Sequence, residues 1–158
     1  NAPLRAQIRA AVEGGLPTYA ECGGLMYLAR SIRWRDVTYP MVGALPADVQ
    51  MQARPVGRGY VHLVPTAAHP WPGESPPLIR AHEFHYSRLT DADPSLRYAY
   101  EVRRGHGIDG ARDAIVFANT LASYAHLRSV AGHVWPWRFV GFGRACRSNR
   151  AGAPARAA

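Results

Sequence analysis

The chain contains no lysine: all 19 of its basic residues are arginine. A phosphate-binding loop of the form G-x-x-x-x-G-K-[ST] uses a lysine to reach the β- and γ-phosphates, so none is encoded here. Cysteine is scarce as well. Cys22 and Cys146 lie far apart and make no disulfide framework, and a reducing cytoplasm is the default for such a chain. No window approaches 18 uninterrupted apolar residues, so no transmembrane helix is expected. The first 15 residues lack the apolar core of a signal peptide. They also lack an initiator Met, which leads to the expectation of a processed product or a fragment. Acidic residues number only 11, and the formal charge is +8. That charge would suit nucleic acid, but the arginines are scattered rather than blocked. An arginine-only, alanine- and proline-rich chain is what G+C-rich codons produce. No nucleic-acid or membrane partner is expected, although arginine's bidentate fit to carboxylate and phosphate leaves an anionic partner open.

What is present suits one folded domain. The 158 residues are 47% hydrophobic, enough for a single core and too many for a disordered chain. Residues 3–13 place Leu4, Ile8, Ala11 and Val12 at helical spacing, with Pro3 in the first turn and Gly14-Gly15 as the stop. "LPTYAE" reads as a short buried strand, and "GLMYLARSI" as a helix with Leu25, Leu28 and Ile32 on one face. Helix, strand, tight turn and helix are part of a parallel α/β unit. From Pro40 to Arg104 the pattern changes to strands: "MVGALPADVQM", "GYVHLVP", "LIRAHEFHYSRL" and "RYAYEVRR". "TAAHPWPGESPP" and "TDADPS" between them are loops. "AIVFANTLASYAHL" reads as two short strands with a turn near Asn119. The last element, "WPWRFVGFGRACRS", has Trp137, Val140, Phe142 and Ala145 at helical spacing, weakened by Gly141 and Gly143. Residues 1–148 are expected to form the domain and 149–158 a disordered tail.

Chemistry concentrates at Ala20-Glu21-Cys22-Gly23-Gly24. A small residue two before the cysteine and a glycine two after it give the spacing of a nucleophile elbow. A strand turning straight into a helix brings its flanks together, so those two positions must be small. The sulfur then sits near a helix N-terminus, where N–H groups and the dipole favour thiolate. The Gly23 N–H can point at a developing oxyanion. A buried, inert cysteine before a Gly-Gly turn fits the same residues, and spacing alone does not separate the two. A thiol nucleophile needs a base, and there are seven histidines: His62, His69, His82, His85, His106, His126 and His133. His126 ends a strand-like run, where open α/β sheets gather their sites. A metal site at "HEFHYS" is disfavoured, because strand alternation puts His82 on the face opposite Glu83 and His85.

"YAECGGLMYLARSI", "HEFHYSRL" and "ANTLASYAHL", in that order, resemble the three signatures of the glutamine amidotransferase domain of cobyrinate (hydrogenobyrinate) a,c-diamide synthases. The resemblance covers most of residues 1–145. It implies an α/β, flavodoxin-like class I glutamine amidotransferase fold that lacks its first strands. It implies Cys22 as the nucleophile for the side-chain amide of glutamine, His126 as its base and Gly23 as half of an oxyanion hole. The usual triad glutamate two residues after the histidine is replaced here by Arg128. Glu83 is then a candidate orienter of His126, and Glu83 and His85 are candidates for contact with substrate. The chain itself carries no cofactor on this reading. ATP and Mg2+ belong to an N-terminal ATP-binding domain outside it, which activates the carboxylates of a tetrapyrrole for amidation. Related proteins that amidate sirohaem share these motifs, and a non-catalytic amidotransferase-like binding domain is a further alternative. The chain starts at the helix before the elbow strand. The resemblance therefore implies a C-terminal fragment with an incomplete oxyanion hole and weak or no activity alone, since one lost oxyanion donor costs about 100- to 1000-fold.

Overall fold

The computed structural model describes residues 1–129 and 134–151. Asn1 caps α1 (Ala2–Glu13): its side chain accepts from the Leu4 N–H at 3.1 Å. At the other end the Gly14 N–H donates to the Ala10 carbonyl, and Gly15, at φ +78°, turns the chain. A short β1 (Thr18–Glu21) follows, then α2 (Gly23–Leu28). α2 is shorter than its apolar spacing predicts. Ser31–Trp34 forms β2 instead, hairpinned to β3 (Val37–Pro40), so Ile32 lies on a strand and not on a helix face. Leu25 and Leu28 are buried as expected.

Residues 41–47 were expected to begin a strand, and only β4 (Asp48–Met51) is one. The preceding segment instead donates N–H groups from Val42, Gly43, Ala44 and Leu45 to the carbonyls of Tyr27, Ala29 and Leu28. It satisfies the open C-terminal end of α2 while burying Val42, Ala44 and Leu45. β5 (Gly57–Pro65), β8 (Arg97–Arg104), β9 (Arg112–Phe117) and β10 (Thr120–Ser123) fall where the pattern placed strands, with the turn at 118–119. "LIRAHEFHYSRL" divides into β6 (Ile79–His85) and β7 (Ser87–Thr90), which join different sheets.

One sheet runs β1-β10-β9-β8-β5-β6 and the other β3-β2-β4-β7. In the larger sheet only β1 and β10 are parallel; the other pairs are antiparallel. The parallel unit expected from the first elements is therefore confined to one edge. The sheet also curls. His82 on β6 and His126 after β10 exchange two backbone bonds, of 3.3 and 2.7 Å, so the far edge returns to the end of the sheet where β1 and β10 finish.

Both faces of the middle strands are covered, which is why β9 and β10 read as continuous apolar runs. Leu121 and Val116 face one core with Val61, Leu63, Trp71 and Ile79. Ala122 and Ile115 face the other, with Val12, Leu25, Leu28 and Leu45. The last helix, α3 (Trp135–Ala151), packs Trp135, Phe139 and Phe142 on the first core. Its inward stripe differs from the predicted one, for Trp137 is 73% exposed and Val140 lies outside. Arg138 fixes the helix by donating to the carbonyls of Trp71, Pro72 and Gly73. α3 also runs through residues 149–151, which were expected to open the disordered tail; residues 152–158 lie outside the described residues. Among the described residues, no helix is long and apolar enough to cross a membrane.

Candidate active site

Cys22 occupies the junction of β1 and α2 with φ 47° and ψ −100°. A left-handed φ on a non-glycine residue costs roughly 1–3 kcal/mol and is characteristic of functional turns. The crowding argument holds in atomic detail: a Cβ on Gly24 would sit 3.3 Å from the Ala20 Cβ, so little room exists there for a larger pair. β1 and β10 run side by side and end together. The Cys22 N–H donates to the Ser123 carbonyl at 2.7 Å, which brings the nucleophile to the strand end that leads into His126.

His126 is held by its backbone bonds to His82 and by its ring. Nδ1 lies 3.3 Å from the Oε2 of Glu21. The other oxygen, Oε1, accepts from the Leu127 N–H at 2.9 Å and from the Tyr19 hydroxyl. The carboxylate that orients His126 is thus Glu21, the residue before the nucleophile, and not Glu83. With Nδ1 turned to Glu21, Nε2 is left to exchange a proton.

A second buried carboxylate sets the turn before His126. Asp113 accepts from the Ser123 hydroxyl and from the N–H groups of Ala114, Tyr124 and Ala125. Burial pushes its carboxyl above the ordinary aspartate value, and those four bonds oppose the rise. Sequence reading missed both Asp113 and Glu21. The available signal for Glu21 was its place at the C-terminal end of a strand, beside a candidate nucleophile.

Burial also pushes the Cys22 thiol up; the Gly23 N–H pulls it down, and the carboxylates of Glu21 and Asp113 add to the rise. The thiol rests against the Phe84 carbonyl, with 3.8 Å between Sγ and O. The Gly23 N–H favours the thiolate, as expected of a helix terminus, but α2 has only six residues and burial outweighs it. Gly23 is exposed, and its N–H faces the sulfur, the side from which a tetrahedral oxyanion would form.

Strand alternation on β6 is as expected, with His82 outward and Glu83 and His85 inward. Glu83 is 1% exposed and accepts from the N–H groups of His106 and Gly107 at 2.7 and 2.8 Å. His85 Nε2 lies 3.6 Å from its Oε2, and the His85 ring stacks on Tyr124 at 3.8 Å. This pair is a buried brace, with His85 2% exposed, and neither side chain bonds to Cys22 or His126 among the described residues. The remaining candidates lie elsewhere. His62 lies on β5, His69 meets Trp71 edge-on and Tyr100 at a tilt, and His106 follows β8. His133 is outside the described residues.

A cysteine at positive φ on a strand-to-helix turn, preceded by the carboxylate that holds a histidine, fits the elbow of a cysteine amidohydrolase or acyl transferase. Solved structures place the fold. A putative GMP synthase protein from Thermoplasma acidophilum covers 93% of this chain and 67% of its own, with TM-score 0.62 and 13% identity. A glutamine amidotransferase from Thermotoga maritima covers 79% and 46%, with TM-score 0.54 and 14% identity. The fold is that of the class I glutamine amidotransferases. The model of the CobB/CobQ-like glutamine amidotransferase domain matches residues 1–132, and the chain belongs to that family. It is 41% identical over 128 residues to the cobyrinate a,c-diamide synthase of Magnetococcus marinus and 44% identical to that of Halobacterium salinarum. It spans 27% and 29% of those two relatives.

Proposed function

We propose that this chain is the glutamine-hydrolysing part of a synthase that forms amides on a tetrapyrrole. The observation that carries the reading is Cys22 at φ 47°, one residue from the carboxylate that holds His126. His126 Nε2 takes the Cys22 proton, and the sulfur attacks the side-chain amide carbon of glutamine. The Gly23 N–H stabilises the oxyanion. The imidazolium then protonates the leaving nitrogen, releasing ammonia and leaving a γ-glutamyl thioester. His126 next activates water, which cleaves the thioester to glutamate and restores the thiol. Glu21 holds the ring throughout and stabilises its charged form, as the aspartate of a serine-protease triad does.

Ammonia goes to a carboxylate activated outside this chain. The relatives are named cobyrinate a,c-diamide synthases, which favours the a- and c-carboxylates of cobyrinate or its cobalt-free analogue hydrogenobyrinate as acceptors, within cobalamin biosynthesis. ATP and Mg2+ belong to that other portion of the synthase; this sequence has no lysine for a P-loop. A glutamine-analogue electrophile, 6-diazo-5-oxo-norleucine, tests the reading on the polypeptide that carries this chain. Mass spectrometry is expected to find the adduct on Cys22, and Cys22→Ala to abolish it. An unlabelled wild type would instead favour a non-catalytic binding domain. Comparing cobyrinate with sirohaem as acceptor separates the two tetrapyrrole readings.

A further inference from the structure

The outer face of β5, β6 and β8 carries a row of cationic and aromatic side chains that the glutaminase mechanism does not use. Antiparallel register sets Arg58 opposite Phe84, Tyr60 opposite His82, and His62 opposite Arg80. On its other side His62 meets Arg104 of β8. Tyr60, His62, Arg80 and Arg104 line an open depression of about 430 Å3. Tyr60 is 66% exposed, and its ring meets that of His82 edge-on at 6.1 Å.

The depression has no acidic residue in its lining, and neither Arg80 nor Arg104 has an ion pair or side-chain hydrogen bond among the described residues. Other arginines are paired with carboxylates, among them Arg30 with Asp48, Arg103 with Glu101 and Arg112 with Asp109, whereas Arg80 and Arg104 share one depression with no carboxylate in its lining. Two guanidiniums, one on each side of His62, repel each other through the open depression, so the empty face carries uncompensated positive charge. An anion would compensate it. Guanidinium forks bind carboxylate and phosphate in two-bonded geometry. Two strand spacings put the Arg80 and Arg104 backbones about 10 Å apart, within reach of two acid groups on one small molecule.

We propose that this depression binds a small molecule bearing at least two carboxylate or phosphate groups, one at Arg80 and one at Arg104, with its body on the Tyr60 ring. The ligand is not the glutamine of the proposed reaction. Arg80 lies four residues along β6 from Phe84, about 13 Å from the carbonyl that touches Cys22. The inference goes beyond the glutaminase reading and does not depend on it. Its test therefore uses the Cys22→Ala background, in which hydrolysis is absent whatever the fate of that reading.

Calorimetric titrations with suberate, uroporphyrin I and inorganic pyrophosphate distinguish the sources of the shared chemistry. At least one is expected to bind saturably, and the tighter class, carboxylate or phosphate, identifies the source. Arg80→Gln with Arg104→Gln is expected to weaken binding about tenfold or more. Arg33→Gln with Arg54→Gln removes the same charge from exposed positions outside the depression, and binding should change less than about twofold. Tyr60→Ala should weaken uroporphyrin I and spare pyrophosphate. Thermal melts by circular dichroism check that each variant folds. No saturable binding, or equal weakening by both arginine pairs, overturns the assignment. Binding of a polyglutamate peptide with none of the small probes also overturns it, in favour of an acidic protein partner.

Discussion

Glu21 carries two loads at once: Oε2 orients the His126 ring while Oε1 caps the Leu127 N–H. A glutamine in its place can still cap Leu127 but cannot stabilise an imidazolium. Glu21→Gln is therefore expected to lower kcat by roughly 10- to 1000-fold, with KM for glutamine little changed and with an altered kcat–pH profile. Unchanged kcat would show that Glu21 is only a cap. Glu83, buried and bonded to backbone N–H groups, makes a prediction about stability instead. Burial pushes its carboxyl up, but His85 and the N–H groups of His106 and Gly107 outweigh that and hold it below the ordinary value of 4.5. Its proton is therefore bound more readily in the unfolded chain. Its stabilisation is present above about pH 4.5 and is lost as pH falls through the lower folded value. Urea titrations from pH 6 downward should show this loss, and Glu83→Gln should flatten it while destabilising the fold by about 1–3 kcal/mol at pH 6. An unchanged acid limb would assign that limb to other carboxylates. The elbow and its small flanks at Ala20 and Gly24 were legible because their signal is local spacing, whereas Cys22 and His126 were singled out together only by the three motifs in order. Glu21 was not, because its role depends on β10 running parallel beside β1, which no single stretch of sequence encodes.

Among the elements, the elbow is the most sterically demanding. Gly24→Val would drive branched carbons into Ala20, with an expected loss of about 1–3 kcal/mol. Adding Ala20→Gly should recover part of it, and chemical denaturation of the three variants reads the coupling. Additive losses would mean the two positions do not press on each other. The strands were largely visible as apolar runs with turn residues between them. Two errors share one cause. In "ARSI" and "MVGALPA" apolar side chains are buried by the second sheet and by the end of α2, so burial without regular pairing mimicked a continuing helix and a strand. On α3, apolar residues lie on all sides, so spacing did not reveal which stripe Trp71 would receive.

At the scale of the molecule, the curled sheet makes the site a closure point. Native-state hydrogen exchange should find the His82 and His126 amides opening with the core strands rather than with the loops. Exchange of His126 at loop rates would show that the two edges part without global unfolding. Closure of this kind was invisible in the sequence, since it joins residues 44 apart through neither a motif nor a repeat. Glu21 and His126 are 105 residues apart in the chain. Ribosomes add about 5–20 residues per second, so the elbow emerges roughly 5 to 20 seconds before the residue that activates it. On the proposed mechanism a nascent chain therefore exposes the elbow thiol before its base exists, and reactivity begins only when β10 and His126 are in place, which ties the timing of chemistry to the end of folding.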